Sequence, residues 1–319
     1  MKMKFAVSIL ALTVVTTFAQ QSDRDERAQQ EITVGHSMNP RAESEGSRAS
    51  RGSAPTAGSL GVILPKITYH GGQVMSTPTV YLIWYGNWNQ TNGTDNPMGQ
   101  TIVRDFLFGL SNSGHFKINT SYITPTGLVN VGAEYTDAGS LGVNLSDSSI
   151  KTIVTNAVNA GKLPRDTSGV YFVLTSSDVA ESSGFCTKYC GCHTAGRIAG
   201  STLKYSFVGN SARCLSGCAA QATGPNGNAG IDGMLSVLAH ELEETVSDPL
   251  PTSGWADSGG AENGDKCAWT FGANPKIATN GAYYNMTLAA QSQPTRNYLI
   301  QRNLDANSVC YVDYITKTQ

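Results

Sequence analysis

Hydrophobic positions along this chain follow two rhythms, and each predicts its own kind of element. Thr79–Gly86 (TVYLIWYG) is an unbroken β-branched and aromatic run between Pro78 and Gly86, which predicts a buried strand. GVYFVLTS and KYSFVGN predict two more strands, and LGVILPKITYHGGQVM reads as an entering strand and turn. Helical spacing appears in QTIVRDFLFGLSNS, with Ile102, Val103, Phe106, Leu107 and Leu110 on one side. It recurs in SSIKTIVTNAVNAG through Ile150, Ile153, Val154 and Val158, entered at Asp147 or Ser148 and closed at Gly161.

A third helix carries the chemistry. It is predicted to open at Asp232 as N-cap and to stop at or before Asp248, because Pro249 disfavours helical geometry in its predecessor. Leu235, Leu238, Ala239, Leu242 and Val246 form a core-facing stripe. His240 and Glu244, four apart, project together on roughly the opposite side, with Glu241 just around from them and Asp248 one turn on.

The order is strand, helix, helix, strand, strand, helix and a loop-rich tail. The alternation is too irregular for a doubly wound sheet, and no phosphate-cradling Gly loop follows a strand. The expected fold is a mixed α/β single domain of sheet plus helices over residues 61–319, with one metal-site helix of zincin type and disulfide-stapled C-terminal loops. No internal repeat is present.

Residues 1–19 read as a secretory signal: Lys2 and Lys4 precede an apolar run from Phe5 to about Val15, with cleavage expected after Ala19. No run reaches the length of a membrane span. Residues 20–60 are dense in charge, Ser and Gln and poor in large apolar residues, the composition of a disordered leader or pro-segment, and His36 is a solvated bystander within it. A net charge of -2 leaves no basic footprint for nucleic acid or anionic membranes.

Export changes the meaning of the seven cysteines, all beyond Ser183, since the oxidising route favours disulfides. Six can pair and one remains; spacing leaves the connectivity open, and a zinc-knuckle reading of CTKYCGCH with CLSGC is the lesser alternative. Sequons begin at Asn89, Asn92, Asn119, Asn144 and Asn285.

His-Glu-x-x-Glu suits metal chemistry because ligands at i and i+4 reach one ion, while the Glu after the first ligand can take a proton from a metal-bound water. Here His240 and Glu244 are the ligands and Glu241 the catalytic base, with zinc as the expected ion; a second carboxylate ligand makes harder metals competitive. A third ligand is sought in the Gly-rich loop after the helix, with Glu262 favoured, then Asp257, and Asp248 also in reach. His193 beside Cys192 is the upstream imidazole near a staple, whereas His70 and His115 read as structural or exposed. The competing bland reading is the solvated face of an amphipathic helix. Carboxylates such as Glu244, Asp248 and Glu262 would also serve a structural calcium site.

Together YHGGQVM, VYLIWYGNW, FCTKYCGCH, KYSFVGNSARCLSGC and GPNGNAGIDGMLSVLAHELEETVSDP, with Cys267 and Cys310, make nearly all of the chain after about residue 60 resemble the EXORDIUM or phosphate-induced protein family. The resemblance implies a secreted, extracellular or wall-associated protein, and pairing among Cys186, Cys190, Cys214, Cys218, Cys267 and Cys310 with Cys192 as the extra thiol. The His240–Glu244 stretch departs from the plant pattern and looks like microbial relatives that read as zincin-type hydrolases. The function expected is therefore a zinc-dependent, peptidase-like hydrolase acting on an extracellular protein or cell-wall substrate. Its alternative is a non-catalytic wall-binding or signalling protein using Trp84, Trp88, Trp255 or Trp269 as aromatic platforms.

Overall fold

The computed structural model describes residues 65–251 and 253–319. The signal and leader readings for residues 1–60 lie outside the described residues, as does the start of the entering segment, of which Thr68–Tyr69 is a strand paired antiparallel with Trp255–Ala256.

The three sequence-predicted strands form the middle of a five-stranded sheet. Chain order is β1 (Thr79–Tyr85), α1 (Pro97–Leu110), β2 (Asn130–Asp137), α2 (Asp147–Asn159), β3 (Gly169–Thr175), β4 (Gly191–Ile198), β5 (Ser201–Gly209) and α3 (Ala229–Ser247). The spatial order is β2-β1-β3-β5-β4, with four parallel strands and an antiparallel edge strand, β4, hydrogen-bonded to β5. Every β3 residue is buried and so is β1 apart from Thr79, as central parallel strands covered on both faces require.

The mixed α/β class is as read from sequence, but the sheet is more regularly parallel than the apolar runs suggested. The reason lies at the edges. β2 (NVGAEYTD) is largely exposed and β4 (GCHTAGRI) is built of small and polar residues, so neither shows the apolar run that marked the central strands.

The helices divide between the two faces. A Cβ on Gly191 would meet Val237 of α3, whereas one on Gly196, five residues along β4 and so on the other face, would meet Lys151 of α2. Ile231 of α3 in turn lies against Gly99 of α1, which puts α1 beside α3. Asn96 caps α1 by accepting from Gly99 N at 2.9 Å, with Pro97 at its first position. A capping box between Ser146 and Ser149 starts α2 just before the predicted entry.

The crevice beyond the carboxyl ends of β1 and β3, where open parallel sheets bind ligands, is filled. Asp95, buried after β1, accepts from Ser177 N after β3 and from Asn210 Nδ2 after β5 at 2.6 Å. Buried charge collects on α3 instead, at His240, Glu241, Glu243 and Glu244.

Three disulfides, Cys186–Cys214, Cys190–Cys218 and Cys267–Cys310, use the six cysteines implied by the family resemblance, and Cys192 is a buried free thiol. This pairing removes the thiols that a zinc knuckle would need. Two of the bridges tie residues 186–190 before β4 to residues 214–218 before α3. The third closes the C-terminal region around a small core of Ile67, Tyr122, Leu304 and the bridge itself. Among the sequons, Asn119 is fully buried and the Asn285 amide donates to the Phe271 and Ile300 carbonyls, while Asn89 and Asn144 are exposed.

The C-terminal hairpin (Met286–Ala289 with Thr295–Tyr298) is pinned to α1 through Asp105. This buried carboxylate accepts from Gln291 N and Ser292 N, both at 2.9 Å, and pairs with Arg296 Nε at 2.6 Å. Burial pushes its pKa up, but the Ser292 and Arg296 hydrogen bonds outweigh that and hold it below the ordinary carboxylate range. Asp105→Ala is expected to cost about 3 kcal/mol in a denaturant titration at neutral pH, because it strands Arg296 as well as three donors. A carboxylate with a depressed folded pKa contributes fully above its unfolded pKa and loses that contribution as pH falls through the folded one. The gap between the two proteins should accordingly narrow below about pH 4.

Candidate metal centre

Helix α3 starts earlier than the sequence suggested: Asn228, rather than Asp232, is the cap, accepting from Ile231 N at 3.2 Å. Gly230 and Gly233 belong to the first turns because segments 210–212 and 219 press on them; a Cβ on Gly230 would lie 2.5 Å from Asn210 Oδ1. The C-terminal end is where Pro249 required it, with Asp248 as C-cap. The larger difference concerns the polar face. Every residue from Gly230 to Ser247 is buried, so the side opposite the leucine stripe is not wet. The sheet covers one side, and the 3-10 turn Phe116–Tyr122 and the chain after Pro249 cover the other.

Between β4 and the chain after Pro249, five polar groups from three parts of the chain gather around Glu244. His240 Nε2 stands 3.0 Å from Glu244 Oε1 and 3.7 Å from Asp265 Oδ1. From β4, His193 Nδ1 lies 3.4 Å from both Glu241 Oε2 and Glu244 Oε2, and its Nε2 is 3.6 Å from Glu262 Oε2. Strand alternation sends His193 to the α3 face and the neighbouring Cys192 to the α2 face.

Two glycines permit the approach. A Cβ on Gly264 would fall 2.8 Å from His240 Nδ1, and one on Gly191 3.1 Å from Glu241 Oε1. Asp265 N donates to Glu244 Oε1 at 3.0 Å, which fixes the loop on the helix.

This cluster is electrostatically incomplete. Although His240 Nε2 is 3.0 Å from a carboxylate oxygen, it makes no hydrogen bond. The same is true of His193 Nε2, Glu241 Oε1, Glu244 Oε2 and both Glu262 oxygens, all buried. Buried polar groups are normally satisfied by protein, ordered water or an ion, and here protein groups at good hydrogen-bonding geometry do not suffice. Four carboxyl groups, Glu241, Glu244, Glu262 and Asp265, face the two imidazoles His193 and His240. Fully ionised, the carboxylates carry four negative charges, while imidazoles that ligate a metal are neutral. His193, Glu241 and Glu244 form one potential ligand group, and His240, Glu244 and Asp265 another, joined through Glu244. The donor set of imidazole nitrogen and carboxylate oxygen fits zinc and harder divalent ions.

Without a cation the groups shift one another. Burial lowers the His240 pKa, but the Glu244 charge and its 3.0 Å contact, with the Glu241 and Asp265 charges, together outweigh burial and raise it to about 10. Burial raises Glu244, yet His240 and His193 pull it down to about 2. Burial, with the Glu244 charge adding to it, lifts Asp265 to about 8. Glu262 is pushed well above its ordinary range by burial, which the pull of His193 does not offset, and Glu241 is raised for the same reason.

Of the residues singled out from sequence, His240, Glu241, Glu244 and Glu262 are brought together, and His193 joins them. Asp257 lies apart: it pairs with Lys266 Nζ at 2.5 Å and accepts from Gly259 N and Ala261 N, so it shapes the 257–266 loop. Asp248 accepts from Gly254 N at 2.8 Å. His70 is exposed, and His115 is buried with its Nε2 3.0 Å from Glu243 Oε1 and its Nδ1 2.8 Å from the Val312 carbonyl. Trp84 and Trp88 are core residues; Trp255 and Trp269 are partly exposed. Asp265 and Gln301 escaped the sequence reading. The only signal for Asp265 was its place two residues before Cys267, and nothing local marks Gln301.

Comparison with known proteins places this geometry in context. The phosphate-induced protein 1 conserved region matches residues 67–310. The chain is 32% identical to Protein EXORDIUM-like 3 of Arabidopsis thaliana over 281 residues, covering 75% of this chain and 80% of that protein. Identity to Protein EXORDIUM-like 5 of the same plant is 32% over 247 residues, 66% of each chain. Protein PHOSPHATE-INDUCED 1 of Nicotiana tabacum is 27% identical over 298 residues, 76% of this chain and 87% of the relative. No solved structure matches.

The cluster predicts opposite effects of one substitution on stability and on metal affinity. A carboxyl whose folded pKa is raised costs stability as pH climbs from its unfolded value to its folded one, here from about 4 to about 8 for Asp265. Metal-stripped Asp265→Asn should therefore melt above the wild type at pH 8, with the difference vanishing near pH 4, while its zinc affinity falls. Melting curves across this range with and without chelator provide the check.

Proposed function

The chain belongs to the phosphate-induced protein 1 family, and from that footing we propose that it is a secreted, extracellular or wall-associated metallohydrolase, peptidase-like, with zinc held on α3. One observation carries this reading. His240, Glu244 and Asp265 present converging atoms on one side of α3, while Glu241, next along the helix, holds an unpartnered carboxylate oxygen beside them. Three disulfides are consistent with an extracellular protein.

His240, Glu244 and Asp265 would hold the ion, with His193 reaching the other oxygen of Glu244 and Glu262 standing beside His193. A zinc ion bound there supplies Lewis acidity, polarising a substrate carbonyl and lowering the pKa of a water. With the ion in place, Glu241 would serve as the general base that accepts a proton from a water and returns it to the departing amine. His193, 3.4 Å away, orients the Glu241 carboxylate. The substrate class is an extracellular protein or a cell-wall component.

Burial favours a second reading, a structural ion without turnover. Structural metal sites are closed and catalytic ones keep a position open, and here His193, His240, Glu241 and Glu244 are wholly buried. Asp265, with 14% of its side chain exposed, is the side from which water and substrate reach the cluster in the hydrolase reading.

Zinc and calcium analysis of the purified secreted chain, beside His240→Ala and Glu241→Gln, separates the two. The hydrolase reading expects about one zinc per chain, lost in His240→Ala and kept in Glu241→Gln. It also expects turnover of unfolded-protein substrates to fall at least about 100-fold in Glu241→Gln. Unchanged turnover in that variant sinks the hydrolase. Zinc or calcium without turnover of any peptide or protein supports the structural ion.

A further inference from the structure

His240 has a neighbour that the metal reading leaves unused. The Gln301 side-chain amide lies 2.6 Å from His240 Nδ1, on the edge of the ring opposite Glu244 and Asp265, and Gln301 is entirely buried. Its backbone N–H donates to Ser236 Oγ at 3.1 Å, one turn before His240 on α3. The next residue, Arg302, donates its N–H to the Thr270 carbonyl at 2.7 Å, beside the Cys267–Cys310 bridge. Gln301 is thus fixed both to the helix that bears His240 and to the stapled region that bears Asp265.

The orientation of this amide decides which ring nitrogen is free. With Nε2 toward the ring, Gln301 donates to His240 Nδ1 and also lies 3.4 Å from the Gly264 carbonyl, leaving Gln301 Oε1 and His240 Nε2 both buried without partners. A half-turn of the amide exchanges its two isosteric ends: the oxygen then accepts from Nδ1–H, and the 3.4 Å donation to the Gly264 carbonyl is given up. The 2.6 Å separation is at the short limit for N–H···O and tighter still for a pair of nitrogens. A proton on Nδ1 leaves the Nε2 lone pair directed at Glu244 and Asp265.

We infer that Gln301 is the positioning residue of the metal centre: its side-chain oxygen accepts the Nδ1 proton of His240, selecting the tautomer whose Nε2 binds a divalent ion. The assignment rests on the metal reading above and adds the element that fixes the ring. Ligand histidines generally depend on such an outer acceptor for orientation and basicity. The device is non-local, since the acceptor comes from a segment 61 residues after the ligand.

Competition titration of zinc against a chromogenic chelator, on full-length purified protein, tests it in wild type, Gln301→Met and Gln301→Glu, with melting of the metal-free forms alongside. Gln301→Met retains size but not the acceptor, and its zinc affinity should fall about 10–100-fold. Gln301→Glu restores an acceptor and should bind zinc within about threefold of wild type. Wild-type affinity in Gln301→Met overturns the inference. An equal loss in both variants also overturns it, since the side chain would then serve packing alone. Absence of zinc binding by the wild type is a different failure, which removes the metal reading itself.

Discussion

Burying six ionisable side chains against one helix is the constraint on which the rest of this structure depends. An isolated carboxylate in a water-free interior is expensive, and here four lie around two imidazoles with several oxygens and nitrogens unsatisfied. An arrangement selected for stability alone would replace these groups with apolar ones. Their presence, with glycines at 191 and 264 that let backbone press on Glu241 and His240, shows the surroundings shaped around the charges.

The sheet and the staples divide the work of supporting that helix. β4 is the antiparallel edge strand, and its alternation delivers His193 to α3 while Cys192 faces away. The paired bridges Cys186–Cys214 and Cys190–Cys218 fix the chain just before β4 to the segment that leads into α3. On the other side, Cys267–Cys310 anchors the loop of Glu262 and Asp265, while Asp257 and Lys266 lock its bend. The polar knot at Asp95 ties together the chain ends beyond β1, β3 and β5, where parallel sheets commonly bind ligands.

What the sequence disclosed follows from locality. β1, β3 and β5 were readable because central strands are apolar along their length, and α1 and α2 because each buries one stripe. α3 was readable through its leucine stripe and its Pro249 stop, and the i, i+4 pair His240 and Glu244 is a local fact of helix geometry. β2 and β4 were missed because edge strands with Gly132, Gly191 and Gly196 give no apolar signal. The competing reading of the His240 face as solvated stayed open at the level of sequence, because amphipathicity reports that one stripe is apolar, not that a later part of the chain returns to cover the polar one. Asp265 and Gln301 come from that returning chain, and their proximity is set by a disulfide and a hairpin rather than by spacing along the sequence.

The same wrapping explains why burial and chemistry coexist here. Water exclusion strengthens each charge interaction in the cluster and lets one ion be held by few ligands, but it also makes the metal-free protein carry the full cost of like charges around Glu244. Whatever neutralises Glu262 and Asp265 stabilises the loop that bears them. The Cys267–Cys310 bridge keeps that loop within reach of α3.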